Sequence, residues 1–193
     1  PEGTVKDVSL GVPVDINIEN AVAAMAVCSM VGVSAEVLRD AIGSFKGAKR
    51  RFEFWLKEKG ENGKVVIDDY AHHPDELKAS IRSVKDLYPN RKLSVIFQPH
   101  LYTRTRDFAP QFAEALSLAD EVILLNIYPA RELPIPGVTS EIIYDKVTAP
   151  EKVLLKKEEL MGYLEKEPVD VLVTFGAGNI DRFIEPIEDM LKK

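Results

Sequence analysis

Four polar clusters in this sequence combine residue types that bind anions or transfer protons. The first spans residues 68–74, Asp-Asp-Tyr-Ala-His-His-Pro, and places two carboxylates, a phenol and two imidazoles within seven residues. Carboxylates and imidazoles are common general acids and bases. The same residues could instead cap a helix and form a polar surface turn, and composition alone does not decide. Their spacing does not match a standard zinc site.

The second cluster, residues 97–107, contains two arginines close to the predicted start of a helix. Cations at a helix N-terminus oppose the helix dipole and cost stability unless an anion lies nearby. Arg106 has Asp107 beside it and is expected to pair with that acid in solvent. Arg104 has no such neighbour, which favours a phosphate or carboxylate ligand at this position.

The other two clusters are weaker signals. Gly-Ala-Gly-Asn-Ile at 176–180 is not a dinucleotide fingerprint, and it predicts a strand-to-helix turn with Asn179 as the cap rather than a ligand contact. Tyr-Pro-Ala-Arg-Glu at 128–132 belongs to a long loop, 126–138, with three prolines. Such loops are often functional, although a solvated loop is the default interpretation.

Each cluster follows a predicted strand. Short apolar runs alternate with amphipathic helices from Arg51 onward, which predicts a Rossmann-like, doubly wound α/β fold with a mostly parallel sheet. The expected strands are 52–56, 65–67, 93–97, 122–125, 153–155 and 169–175, and the first two form a hairpin around 60–63. The expected helices are 74–88, 105–118, 140–147, 158–165 and 179–191. Ligands of such sheets bind at the carboxyl ends of the strands.

The first 48 residues have a different pattern of apolar residues from the rest of the chain. Residues 21–33 are apolar on nearly all sides and predict a buried helix, and Ser34 caps a second helix that ends before Gly47. We therefore expect a helical segment at 1–48 and an α/β domain at 49–193.

Composition excludes several classes of function. The net charge of −6 argues against a nucleic-acid partner, which usually needs a basic face. The single cysteine, Cys28, permits no internal disulfide and favours the cytoplasm, where it is expected to be a small buried apolar residue. The longest apolar run is too short to span a bilayer.

Five segments in register resemble the Mur ligase family, most closely its alanine-adding members. They are the four clusters and Lys-Arg-Arg-Phe-Glu at 49–53, which is similar to the segment that joins the central and C-terminal domains of that family. Residues 17–21 resemble its adenine-proximal segment. The first cluster also resembles the murein-tripeptide recycling ligase, whereas the second favours the alanine-adding enzymes.

The resemblance implies ATP-driven amide formation in peptidoglycan precursor synthesis. The lactyl carboxylate of UDP-N-acetylmuramate attacks the γ-phosphate of ATP, and the amine of L-alanine then displaces phosphate from the acyl phosphate. The implied partners are ATP, UDP-N-acetylmuramate and L-alanine, with Mg²⁺ as cofactor. The Mg²⁺ ligands of the family lie upstream of the matching region, so no metal ligand is expected within this chain.

The resemblance also implies residue roles. Asn17 and Asn20 would contact adenine, Arg51 would reach the nucleotide, and Asp69 and Tyr70 would line the nucleotide side of the cleft. Four side chains would bind substrate and face the amino acid and the transferring phosphate: His72, His100, Tyr102 and Arg104. Of these, His72 and Arg104 would also be catalytic. Two positions depart from the family, which often has His at Ile16 and Arg at Leu101.

The phosphate-binding loop of the family is not found in this sequence, since residues 43–47 have the wrong order and spacing. With a start at Pro1 rather than Met, this predicts the tail of a central domain plus a C-terminal domain, inactive alone. Two alternatives are a stand-alone module that binds an acidic ligand, and a phosphate-sugar enzyme of another doubly wound family. The latter lacks a visible nucleophile–base pair.

Overall fold

The structure, a computed structural model, describes residues 4–12, 14–60 and 62–192, and for Asp15 and Ile16 it describes the backbone alone. The chain divides into two compact units, Pro1–Lys49 and Arg50–Lys193. The interpretation of the first unit as the tail of a central ligase domain stays a prediction. The departure at Ile16 concerns a side chain outside the described set.

The first unit contains helices α1 (Asp15–Met30) and α2 (Ala35–Ser44). The hydroxyl of Ser34 accepts the backbone N–H of Val37 at 3.4 Å, as the sequence predicts for the cap. The prediction that the first helix is buried is wrong, because Val22, Val27 and Met30 are 63%, 61% and 74% exposed. A unit of two helices has too little chain to cover a helix that is apolar all round.

The second unit is built on a six-stranded sheet, in the spatial order β1-β2-β6-β3-β4-β5. The strands are β1 (Glu53–Lys57), β2 (Val65–Asp69), β3 (Leu93–Phe97), β4 (Glu121–Leu125), β5 (Glu151–Leu155) and β6 (Val171–Phe175). Only β1 is antiparallel, in the predicted hairpin with β2. The remaining pairs are parallel, which confirms the doubly wound α/β prediction.

Helices connect the parallel strands. They are α3 (Pro74–Leu87), α4 (Tyr102–Leu116), α5 (Glu141–Tyr144) and α6 (Leu160–Leu164), and a further helix, α7 (Ile184–Leu191), follows β6. Short 3-10 turns lie at Lys157–Glu159 and Ile180–Phe183. Helix α4 begins at Tyr102 rather than at Thr105, and α5 is shorter than predicted. None of the described helices is long and apolar enough to cross a membrane.

The core lies on both faces of the central strands. Every residue of β3, β4 and β6 is buried, and Phe97 packs on Phe112 of α4 with ring centroids 5.2 Å apart. Burial on both faces explains why these strands read as apolar runs in the sequence. The polar clusters therefore collect where β2, β3, β4 and β6 end, which we call the carboxyl edge of the sheet.

Candidate active site

Asp68, at the end of β2, is a buried structural acid. Its carboxylate accepts the hydroxyl of Thr174 at 2.6 Å and the Nε of Arg50 at 3.0 Å. Burial raises the pKa of Asp68, and the bonds from Thr174 and Arg50 oppose that rise. Because both oxygens are occupied inside the sheet, Asp68 ties β2 to β6 and to the start of the second unit.

Arg50 joins several parts of this edge. Its guanidinium donates to the carbonyl of Gly176 at 2.7 Å and lies 5.0 Å from the ring centroid of Tyr70. Arg50 and Phe52 both have positive φ, 57° and 51°, a conformation that non-glycine residues seldom adopt. Arg51, between them, has an exposed side chain, so its predicted contact with a nucleotide is sterically open.

Asp69 turns toward helix α3. One oxygen accepts the Ser80 hydroxyl at 2.7 Å, and the other accepts the backbone N–H of Ala71 at 3.1 Å. Burial raises the pKa of Asp69 to about 6, against the lowering effect of these two bonds. Asp69 thus closes the turn after β2, and its predicted role beside the nucleotide stays a prediction.

Glu76 organises the two histidines of the first cluster. Its carboxylate accepts the backbone N–H groups of His72 and His73 at 2.9 and 3.1 Å, which starts α3 as the acids in its first turn predict. The Nδ1 of His72 lies 3.0 Å from the carbonyl of Tyr70. A carbonyl only accepts, so Nδ1 carries the proton and Nε2 is the acceptor in the neutral ring.

His100 and Arg104 form the second half of the site. The Nη1 of Arg104 lies 3.4 Å from Nδ1 of His100, one helical turn away. Burial lowers the pKa of His100, and the positive charge of Arg104 lowers it further. A neutral His100 can accept a hydrogen bond from Arg104 through Nδ1.

An internal carboxylate lies at the N-terminus of α4. Glu132, from the long loop after β4, accepts the backbone N–H of Thr103 at 3.0 Å and its hydroxyl at 2.5 Å. The sequence predicts a ligand anion at this helix N-terminus, whereas the fold supplies Glu132 of the fourth cluster, which the sequence pattern did not indicate. This added cap also explains why α4 begins three residues earlier than predicted. Arg106 pairs with Asp107 at 2.7 Å, as predicted.

The Gly-Ala-Gly turn serves close packing. A Cβ on Gly178 would lie 2.5 Å from Oε1 of Gln98 and 2.8 Å from Cγ of Tyr128. Gly176 has φ 143°, and a Cβ there would lie 2.8 Å from the carbonyl of Gln98. The turn is a strand-to-helix connection, as predicted, but the side chain of Asn179 accepts from Gln98 at 3.2 Å instead of capping the helix.

Several of the predicted side chains meet at the carboxyl edge. The ring centroids of Tyr70 and His72 are 5.2 Å apart, and those of His72 and His100 are 6.4 Å apart. With Arg104 they form one group, which we call the edge cluster. It combines a cation with imidazole nitrogens that accept protons, so it can hold an anion and accept a proton from a neighbouring amine.

The remaining predicted residues lie around or apart from this cluster. Tyr102 begins α4 and is half-buried. Asn17 and Asn20 lie on α1 in the first unit, where Nδ2 of Asn17 donates to the carbonyl of Val12 at 3.3 Å. Among the described residues, no group of three or more His, Cys, Asp or Glu side chains is arranged to hold a metal ion.

The fold and this cluster define a Mur ligase domain. Residues 50–178 match the family model described as Mur ligase, glutamate ligase domain. The chain therefore belongs to the Mur ligase family, which confirms the resemblance found in the motifs.

Individual relatives of this chain carry the name of one member of that family, the alanine-adding ligase. The chain is 58% identical to a UDP-N-acetylmuramate–L-alanine ligase of Parabacteroides distasonis and 53% identical to one of Phocaeicola vulgatus, with 100% of this chain aligned in each case. It spans 41% and 42% of their lengths. The crystal structure of UDP-N-acetylmuramate–alanine ligase from Thermotoga maritima matches with a TM-score of 0.78 at 30% identity, over 96% of this chain and 40% of that one.

Proposed function

We propose that this chain supplies the C-terminal part of a UDP-N-acetylmuramate–L-alanine ligase, which forms an amide bond at the expense of ATP in peptidoglycan precursor synthesis. The observation that carries the proposal is the edge cluster, in which His72, His100 and Arg104 converge from two separate strand ends. The names of the relatives at 58% and 53% identity support the same activity.

The residues of the cluster suit the two charges that the reaction must manage. Arg104 would hold the carboxylate of L-alanine or the transferring phosphate, with its guanidinium held near His100. Nε2 of His72 is free of the Tyr70 bond and would accept the proton that the amine of L-alanine loses as the amide forms. Because His100 is held neutral, it adds no second charge that would compete with Arg104 for the anion.

The nucleotide side of the site would begin at Arg51 and Tyr70, both exposed at the start of the second unit and the end of β2. Asn17 and Asn20 stay proposed contacts of adenine, as the family resemblance implies. We propose Mg²⁺ as a further cofactor of the complete ligase, held by residues outside this chain, as the family resemblance implies. The single cysteine favours a reducing cytoplasm as the place of the reaction.

A chimera tests the proposal. The corresponding C-terminal region of the Parabacteroides distasonis relative would be replaced by this chain, and phosphate release would be measured with ATP, Mg²⁺ and UDP-N-acetylmuramate. We expect turnover that depends on L-alanine, and loss of that turnover in the His72→Ala variant. The unmodified relative is the positive control.

The possible results of this experiment distinguish the proposed function from its alternatives. A folded chimera without turnover, beside an active relative, would contradict the proposal. Turnover that requires the murein tripeptide instead of L-alanine would favour the recycling ligase. The purified chain alone is expected to show no alanine-dependent ATP hydrolysis, and robust turnover from it would overturn the view that it needs the rest of a ligase.

A further inference from the structure

The loop after β4 packs directly behind the edge cluster, and none of the predicted roles uses it. Tyr128 extends the parallel pairing of β3 and β4 beyond the strands, because its N–H donates to the carbonyl of Pro99 at 2.8 Å and its carbonyl accepts from Leu101 at 3.0 Å. This forms an isolated bridge between His100 and Tyr128. The two rings are stacked, 5.8 Å apart and inclined by 17°.

The base of the Tyr128 side chain also lies against the Gly-Ala-Gly turn. A Cβ on Gly178 would approach Cβ and Cγ of Tyr128 to 2.9 and 2.8 Å, distances that real contacts do not reach. Glycine at 178 therefore leaves room for the Tyr128 side chain beside the turn. Contacts with both the turn and His100 restrict the choice of rotamer of this side chain.

Glu132 fixes the far end of the same loop. Its carboxylate binds both the N–H and the hydroxyl of Thr103, and its own N–H donates to the carbonyl of Pro129 at 2.9 Å. The hydroxyl of Thr103 is the largest cause of a lowered pKa of Glu132, so the acid stays ionised near neutral pH. The loop is thus tied to β3 at Tyr128 and to α4 at Glu132, on both sides of His100.

The backbone between these ties is strained. Leu101, between His100 and α4, has φ 74° and ψ 136°, which non-glycine residues avoid. Its N–H is held by Tyr128, and its carbonyl accepts both the N–H and the hydroxyl of Thr105 at 3.1 and 2.8 Å. Strain of this kind persists only where surrounding contacts over-determine it.

We propose that Tyr128 is a positioning residue for the ligase reaction, anchored by Glu132: it fixes the plane of the His100 ring and, through that ring, the place of the Arg104 guanidinium. Tyr128 itself touches no reacting atom in this scheme. The inference rests on the proposed function for its kinetic consequence, whereas its geometric part concerns this chain alone.

The geometric part is tested by histidine NMR on the purified chain, which contains three histidines. The variants are Tyr128→Ala, which removes the ring, Tyr128→Phe, which keeps it, and Gly178→Ala, which displaces it. Gly162→Ala is the matched control for the last, because a Cβ there meets nothing within 4 Å. Circular dichroism shows which variants fold.

We expect Tyr128→Ala and Gly178→Ala to move the ring-proton shifts of His100 and to raise its pKa toward the ordinary value of about 6.5, as the ring gains solvent. Tyr128→Phe and Gly162→Ala should keep the wild-type titration. The titratable and charged groups that surround His100, namely Arg104, His72, Glu132 and Arg131, are not substituted in any of these variants. Unchanged shifts and pKa in both displaced variants would overturn the inference.

The kinetic part uses the active chimera. We expect Tyr128→Ala to lower kcat by about ten- to a hundredfold, the usual cost of misplacing a reacting group by about an ångström, with the KM for ATP unchanged. Tyr128→Phe should restore most of that turnover. If Tyr128→Ala changes the His100 signals but leaves kcat within about twofold, the positioning role is wrong. An inactive wild-type chimera would instead count against the proposed function, and the NMR result would stand by itself.

Discussion

The amino ends of the strands, which we call the amino edge, and the carboxyl edge carry similar charged residues in different arrangements. At the amino ends of the strands, Lys92 lies 3.1 Å from Glu121 and 2.7 Å from Glu151, and Arg91 binds both the carboxylate of Asp170 and the carbonyl of Gly63. Each of these cations has a carboxylate partner. This edge is therefore neutralised within the fold.

The carboxyl edge is less complete. Arg104 lies next to a neutral imidazole, and within the described part of the chain it has no carboxylate within 4.0 Å. The same edge holds non-glycine residues with positive φ, at Arg50, Phe52, Leu101 and Ala130. Strained backbone and an uncompensated cation both cost stability, and such costs are typical of sites that bind a ligand.

The largest effect should come from the uncompensated cation. In the chimera, Arg104→Ala should lower turnover by about a hundredfold, because a preorganised donor to a developing charge is lost. Arg106→Ala is the matched control, since that arginine is exposed and already pairs with Asp107, and its effect should stay below about twofold. Steady-state phosphate release measures both. Equal, small effects would remove the contrast between the two edges.

Substitutions at the amino edge should change the stability of the fold. Burial alone would raise the pKa of Glu121, but bonds from Ser94, Tyr163 and Lys92 outweigh it and lower the pKa. Glu121→Ala leaves Ser94 and Tyr163 without their acceptor and removes one of the two acids that bind Lys92. The substitution should cost about 3 kcal/mol in the free energy of unfolding, measured by urea titration. Glu151→Ala, at an exposed acid that binds the same lysine, should cost less than about 1 kcal/mol. A larger loss for Glu151→Ala would reverse this ranking.

A smaller effect is expected from Asp69, an acid at the carboxyl edge that is held by neutral donors. Its pKa of about 6 in the folded chain exceeds the ordinary 3.8, so the native state binds this proton more tightly than the unfolded state does. The resulting stability is complete below about pH 4 and is lost as pH rises through about 6. Relative to Asp69→Asn, the wild-type free energy of unfolding should fall by about 2 kcal/mol between pH 4.5 and 7.

Ser80→Ala sharpens that measurement. The Ser80 hydroxyl favours the ionised form of Asp69, so its removal should move the pH-dependent transition upward. A pH-independent difference between wild type and Asp69→Asn would show that Asp69 is not perturbed in the folded chain.

The fold could be predicted because its signals are local. The strands Leu93–Phe97 and Val171–Phe175 are apolar runs, and the start of α3 is marked by Pro74 and the acids that follow. The exposure of α1 could not be predicted, because an all-round apolar helix needs partners that its own sequence does not specify.

The sequence by itself determined the sheet, the order of the polar clusters and, by their register, the Mur ligase family. Only the tertiary structure decided which partner each side chain takes. In the folded chain Asp68 binds Arg50 and Thr174, Asp69 binds Ser80, and Glu132 binds the N-terminus of α4. These pairs join residues 11 to 106 positions apart, and such contacts follow from packing rather than from local pattern. The same is true of the ring of Tyr128, which the sequence places in a loop and the fold places against His100.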